Sequence, residues 1–455
     1  MNHKLCSKGN IHRSWRGIKR GAVLSVLTVA SVFVSASVLG NDIPAQPTVL
    51  TDQEQALVDW VDDRATLLLD ELKLHVNQNT GTQNISGLNS YRSLLQQELD
   101  KLGFETATHS SESIPILNCE GGQFDIADHL TATMRGPSSN RLFLNGHMDT
   151  VFGVDDEFQT LLIEDDGTLK GPGVADMKGG IVIMLNALRA LEAHGLLKQA
   201  HMTVLLNSDE EIGSLGSRPL IETIAREHDL GLVFEGSYQN LVTRARKGLG
   251  QARIKVTGRE SHAGAAHEEG VSASLELALK IIAIEGLTDY SRQTTVNVGV
   301  MAGGEKRNTI PGCAEAYIDM RFPDQESGQE LKQAVLVEAG KKYVENNRHP
   351  GLPTTEVWAT LHRPVKAPHP VVDDLIRQAM GLSEVIGEPI VGSRLSGGGT
   401  DGSIAQGVGL PTMDSLGMDG SGAHSSREQS SVKTLVARTK LAAVLLARLI
   451  QKNKE

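Results

Sequence analysis

Apolar residues recur at helical spacing over residues 51–74, where Leu57, Val58, Val61, Ala65, Leu68, Leu69 and Leu72 share one side. A second amphipathic stretch covers residues 91–102, and both predict helices. Short apolar runs follow in alternation with longer helical ones. Residues 141–145, 201–207 and 232–234 read as strands, with a helix over 181–197 between the first two. Such alternation predicts a largely parallel sheet with helices on both faces. In sheets of that kind ligands bind beyond the carboxyl ends of the strands.

The pattern changes after Lys247. A strand over 251–257, a helix over 272–284, strands over 294–301 and 314–321, a helix over 325–345 and a strand over 355–361 spell βαββαβ, a compact two-layer unit. Helix and strand signals resume after Pro364 and close with a helix over 432–450. The expected fold class is α/β, a mixed, mostly parallel sheet flanked by helices. Its catalytic domain, residues 41–248 and 363–455, is interrupted by an inserted domain over 249–362. A chain of 455 residues exceeds what one hydrophobic core usually supports, which agrees with two domains.

Residues 1–40 stand apart. Basic residues up to Arg20 precede an apolar run over 22–39 that ends in small residues, the pattern of a cleaved signal peptide. The alternative is an uncleaved anchor, since the run approaches the length of a membrane span. The expectation is a periplasmic or secreted protein with no stable membrane span after cleavage. All 55 Asp and Glu lie beyond residue 40, whereas Lys4, Lys8, Arg13, Arg16, Lys19 and Arg20 precede it, so the body is more acidic than the formal net charge of -11. That balance excludes nucleic acid and anionic membrane as partners, because both need basic surface. Cys6 falls in the leader. Cys119 and Cys313 are too few for a disulfide framework in so long a chain and are expected as free thiols.

Five separated clusters carry the chemistry: His147-Met148-Asp149, Asp176 before Met177-Lys178-Gly179-Gly180, the run Asp209-Glu210-Glu211, Glu235, and His424. Three follow predicted strands, and Asp176 precedes a predicted helix within a Gly-rich segment. A two-metal hydrolase needs a carboxylate shared by both ions, further ligands for each, and a general base beside the reacting water. Imidazole and carboxylate donors without thiolate suit two zinc ions, with cobalt or manganese possible alternatives. Asp149, two residues after His147, is placed to orient the imidazole. Glu210 and Glu211, if extended, point to opposite sides, so that one can ligate while its neighbour carries protons.

Taken together, these motifs resemble the metallopeptidase family that includes bacterial glutamate carboxypeptidase, aminoacylase and succinyl-diaminopimelate desuccinylase. The likeness runs from about Leu57 to the C-terminus. It implies that His147 and Glu235 bind one metal, that Glu211 and His424 bind the other, and that Asp176 bridges them. It further implies Glu210 as general base, Asp149 as orienting carboxylate, and a cis peptide after Asp176. Ser261-His262-Ala263-Gly264 resembles a lid histidine that completes the neighbouring subunit's site, with His267 an equal candidate by sequence. Asn308 and Arg321 resemble substrate-binding residues of the lid, while Arg363 and the loop Ser396-Gly397-Gly398-Gly399-Thr400-Asp401 match the glutamate carboxypeptidase branch. The resemblance therefore implies a homodimer formed through the inserted domain. The expected reaction is amide cleavage of a small peptide or N-acyl amino acid, releasing a C-terminal residue, most readily glutamate. An N-acyl-amino-acid deacylase or dipeptidase, and an inactive amino-acid-binding relative, are the alternatives.

Overall fold

The computed structural model describes residues 43–452. The leader expected over residues 1–40, with Cys6, lies outside the described residues. Within them, no helix is long and apolar enough to cross a membrane.

The larger sheet has six strands, in the order Glu105–His109, His129–Arg135, His201–Asn207, Arg141–His147, Leu230–Val233 and Thr412–Met413. Pairings from His201–Asn207 to Thr412–Met413 are parallel, and the two strands at the other edge are antiparallel. Alternate side chains of each central strand enter different cores. Leu142, Leu144, Val204 and Leu206 join one apolar cluster, whereas Phe143 and Leu205 join another. That two-sided burial explains why these strands read as unbroken apolar runs. One face is covered by helices Asp52–Asp62, Ala65–Val76, Lys178–Ala193 and Val432–Gln451, the other by Arg218–Glu227 and Asp401–Gly407. Lys178–Ala193 is buried on nearly every side because Val432–Gln451 packs over it.

The helical signal over residues 51–74 resolves into two helices that part at Asp63–Arg64. Three weak points coincide there. Asp is a poor helix former, consecutive acids oppose the negative helix C-terminus, and Arg64 leaves helical geometry at φ -113° and ψ 10°.

Residues 248–363 build a second, antiparallel sheet in the order Thr295–Gly303, Cys313–Phe322, Gly248–Thr257 and Thr354–Arg363. Helices Ala273–Glu285 and Gln325–Gly340 cover one face, giving a separate core around Ile254, Val256, Ile318, Met320, Leu331 and Val335. Gln325–Gly340 is shorter than the expected 325–345. Gly340 carries a helix penalty, and Lys341 turns to extended backbone at ψ 146°.

The two cysteines are not free thiols. Cys119 and Cys313 form a disulfide with Cα atoms 5.9 Å apart across 194 residues of sequence. The short hairpin of Ile114–Pro115 and Gln123–Phe124 carries Cys119 to the first residue of strand Cys313–Phe322, where the Cys119 N–H also donates to Glu315. Sequence separation alone could not reveal that proximity. Closing so long a loop removes conformations from the unfolded chain, so replacing both cysteines with Ser is expected to lower stability by about 2–5 kcal/mol. Equilibrium denaturation of the double variant checks this, and an unchanged midpoint would refute it.

Candidate metal centre

Three parallel strands end side by side, with His147 in register with Asn207 and Asn145 with Val233. Immediately beyond them come His147-Met148-Asp149, Ser208-Asp209-Glu210-Glu211 and Phe234-Glu235. Asp176 reaches the same place from the turn that opens helix Lys178–Ala193, and its bond to Met177 is cis. Gly180 makes this approach possible. A Cβ there would lie 1.8 Å from the Phe234 carbonyl oxygen, a clash that would push the helix start away from the strand that carries Glu235. His424 arrives from the loop after Thr412–Met413 with φ 61°, in the left-handed region that a non-glycine residue rarely occupies.

The result is two groups sharing one residue. His147 Nε2 lies 3.2 Å from Asp176 Oδ1 and 3.5 Å from Glu235 Oε1. His424 Nε2 lies 3.2 Å from Asp176 Oδ2 and 3.1 Å from Glu211 Oε2. In each group the donor atoms all fall within 4.8 Å of one another. His147 Nδ1 is 3.0 Å from the Asp149 carbonyl oxygen, which can only accept, so Nδ1 carries the proton. In the neutral ring Nε2 is then a lone pair aimed at two carboxylates. That arrangement is repulsive unless a cation or a second proton lies between them, and it fits a divalent metal.

With protein groups alone, protons take that place. Burial opposes charge on His147, yet Glu235, Asp149 and Asp176 outweigh it and hold its pKa well above the ordinary value. Hydrogen bonds to Asp176 and Glu211 push His424 up to about 11. Burial, reinforced by the charge of Asp176, raises Glu211 to about 7. Burial also works against ionisation of Asp176, but its two histidine contacts prevail and lower its pKa. Such a field concentrates affinity for a dication.

Glu210 and Glu211 are not extended. They occupy a 3-10 turn, Glu210–Ile212, that Asp149 organises: its carboxylate accepts the Glu210 N–H at 3.1 Å, the Glu211 N–H at 3.2 Å and the Thr82 hydroxyl at 3.0 Å. The Asp149 carboxylate lies 3.4 Å from His147 Nδ1, farther than its own carbonyl, so it orients the acidic turn as well as the imidazole. Asp209 is wholly buried and accepts from the Ser217 hydroxyl and the Gly216 and Ser217 N–H groups, fixing the other side of the turn. Glu211 then turns to His424 and Glu210 to Arg363, whose guanidinium contacts Glu210 Oε1 at 2.6 Å. Burial pushes the Glu210 carboxyl well above its usual range against the pull of Arg363.

Arg363 is 2% exposed and gives its remaining hydrogen bonds to Ser214, Asp401 and the Glu210 carbonyl. These contacts position Glu210, and Arg363 also lines the cavity that contains Glu210, Glu211 and Arg321. Arg321 lies at the rim of a cavity shared with Glu210, Glu211 and Gly399. It pairs with Asp319 and donates to the Gly397 carbonyl, joining two features expected to bind substrate. Gly399 packs on Arg363, where a Cβ would lie 2.9 Å from Cγ. His262 and Asn308 sit together on the second domain: His262 pairs with Thr309 across a two-residue ladder, and the Ala263 N–H donates to the Asn308 carbonyl. Neither lines the two cavities beside the acidic cluster. His267 opens a 3-10 turn nearby.

Several neighbours of the centre escaped the sequence reading. Glu428 accepts from the N–H groups of Gly173, Ala175 and Asp176, bracing the turn that presents Asp176. Arg246 and Arg394 line a cavity of about 370 Å³ that also contains Asp176, Glu210 and Glu235. Arg246 lies in the basic run Arg244-Ala245-Arg246-Lys247, and Arg394 just before the Gly397–Gly399 loop. Glu428 had no local signal at all.

Residues 143–448 match the family model described as peptidase family M20/M25/M40, more than half of the chain. Carboxypeptidase G2 of Pseudomonas sp. (strain RS-16) is 28% identical over 414 residues, covering 90% of this chain and 96% of that one. Among solved structures, a tripeptidase from Staphylococcus aureus superposes with TM-score 0.65 at 21% identity, covering 85% of this chain and 99% of that one. A dipeptidase from Saccharomyces cerevisiae gives TM-score 0.68 at 14% identity, covering 88% and 99%. The chain belongs to the peptidase family M20/M25/M40 and is a metal-dependent hydrolase.

Proposed function

We propose that this chain is an exported di-zinc carboxypeptidase that releases a C-terminal amino acid, above all glutamate, from small peptides or N-acyl amino acids. The observation that carries this reading is Asp176, whose two carboxylate oxygens face two separate His–carboxylate groups. His147 and Glu235 would hold one ion, Glu211 and His424 the other, and Asp176 both. When bound, the ions would supply Lewis acidity toward the amide carbonyl and toward water.

The residues of the chain supply the rest. Glu210 has one oxygen fixed by Arg363, which leaves the other for proton transfer. It removes a proton from the attacking water and delivers it to the departing amide nitrogen, so that one water is consumed and a carboxylate and an amine are released. Arg321 and the Gly397–Gly399 loop meet the substrate α-carboxylate, a planar anion suited to a guanidinium fork. His262 Nδ1 accepts from the Gly264 and Ala265 N–H groups, which puts the ring proton on Nε2 as a donor. In a homodimer that donor reaches the oxyanion in the partner's site. The dimer reading is supported by strand Thr295–Gly303, a sheet edge with Val300 54% and Met301 72% exposed. Export is supported by the Cys119–Cys313 disulfide, since disulfides persist in oxidising compartments.

A panel of N-acyl and dipeptidyl glutamate, aspartate, alanine and ornithine, with the freed amino acid quantified, tests the proposal. Glutamate derivatives should turn over fastest and a chelator should stop hydrolysis. Turnover indifferent to chelation, or no amino acid freed from any substrate, would refute it.

A further inference from the structure

The cavity that holds Asp176, Glu210 and Glu235 also holds two arginines in different circumstances. Arg246 is 6% exposed, paired with Asp414 at 2.7 Å, and donates to the Gly398 carbonyl. Arg394, on strand Gly392–Ser396 just before the Gly397–Gly399 loop, has no such anchor. Among the described residues no carboxylate pairs with it, and its Nε is buried without a hydrogen-bond partner. Its guanidinium carbon lies 5.5 Å from the centroid of the Tyr238 ring. Arg244, two residues before Arg246, is by contrast paired with Asp373. An arginine beside an aromatic ring with its fork uncommitted, in the lining of the cavity of the candidate centre, is suited to receive a planar anion.

We infer that Arg394 is a specificity-determining residue that binds a second carboxylate of the substrate, selecting a dicarboxylic amino acid over its neutral isostere. This rests on the reading that an amino acid is released, with its α-carboxylate met by Arg321 and the glycine loop. The Tyr238 ring beside it restrains the guanidinium, and the half-buried setting strengthens its bonds to an anion. Arg246 is locked by Asp414 and does not compete for the ligand.

The test is equilibrium binding of L-glutamate and of L-glutamine to the metal-loaded full chain, by calorimetry, for the native protein, Arg394→Gln and Arg394→Lys. A charge-assisted bond made by one ligand and not the other predicts about tenfold or greater preference for glutamate. Arg394→Gln should abolish that preference, and Arg394→Lys, which keeps the charge but not the fork, should retain part of it. Thermal melts establish that each variant is folded, and Tyr238→Leu offers a second route, expected to weaken the preference without removing the cation. A preference that survives in Arg394→Gln, or none in the native chain, would overturn the inference. If the native chain hydrolyses none of the N-acyl substrates yet loses its glutamate preference with Arg394→Gln, the carboxypeptidase reading fails and the role of Arg394 stands.

Discussion

Replacing Glu210 with Gln is expected to slow hydrolysis about a thousandfold, within the span typical of a lost general acid–base group. Gln has the same size, and its amide oxygen can still accept from Arg363, which keeps its ion pair with Asp401 at 3.0 Å. The turn is set by Asp149 through backbone N–H groups, so it does not depend on the Glu210 side chain. Neither Glu211 nor Asp176 loses a partner. The fold and the bound metal should therefore persist while proton transfer is lost. Initial rates, thermal melts and metal content measured on one preparation separate these effects. A variant with near-native turnover would show that Glu210 is not the base, and a variant that loses its metal would show that it is a ligand.

Replacing Asp176 with Asn should act differently. This residue is the one member common to both His–carboxylate groups. Asn cannot offer two anionic oxygens, so each ion loses a charged donor at once. Changes even to groups behind the ligands cost about 10–100-fold in metal affinity, and loss of a shared ligand should exceed that for both ions. Elemental analysis after dialysis should find neither ion retained. Glu211→Gln is the control, since it touches the His424 group alone and should weaken one ion more than the other. Retention of both ions in Asp176→Asn would contradict the shared position.

How legible this was depended on the range of the signal. The central strands were visible because burial on both faces makes them continuous apolar runs, and their ends marked His147, Glu210, Glu211 and Glu235. Asp176 was visible through its glycines, of which Gly180 is required where the helix start touches the Phe234 carbonyl. The βαββαβ order of the second sheet followed from alternation that the burial of Cys313–Phe322 repeats residue by residue. What stayed hidden depended on contacts between distant segments. Cys119 meets Cys313 across 194 residues, and Glu428 reaches back to Gly173. The contacts of Arg363 to Glu210, Asp401 and Ser214 likewise join segments far apart in sequence. The extended reading of Glu210-Glu211 failed because Asp149 pins both N–H groups and curls the backbone into a turn.

His262 and Asn308 are adjacent to each other but line neither cavity beside the acidic cluster. If His262 delivers its Nε2 proton to an oxyanion as proposed, a second copy of the chain would have to bring it there.

The central claim is that two ions sharing Asp176 work with Glu210 to hydrolyse an amide. It is tested most directly by stripping the chain with a chelator, returning zinc in steps, and following bound metal and initial rate on N-acyl glutamate together. The account predicts two ions per chain, recovery of rate only as the second ion binds, and in Glu210→Gln the same two ions with no recovery. Full hydrolysis in the stripped chain, complete recovery with one ion, or native turnover in Glu210→Gln would contradict it.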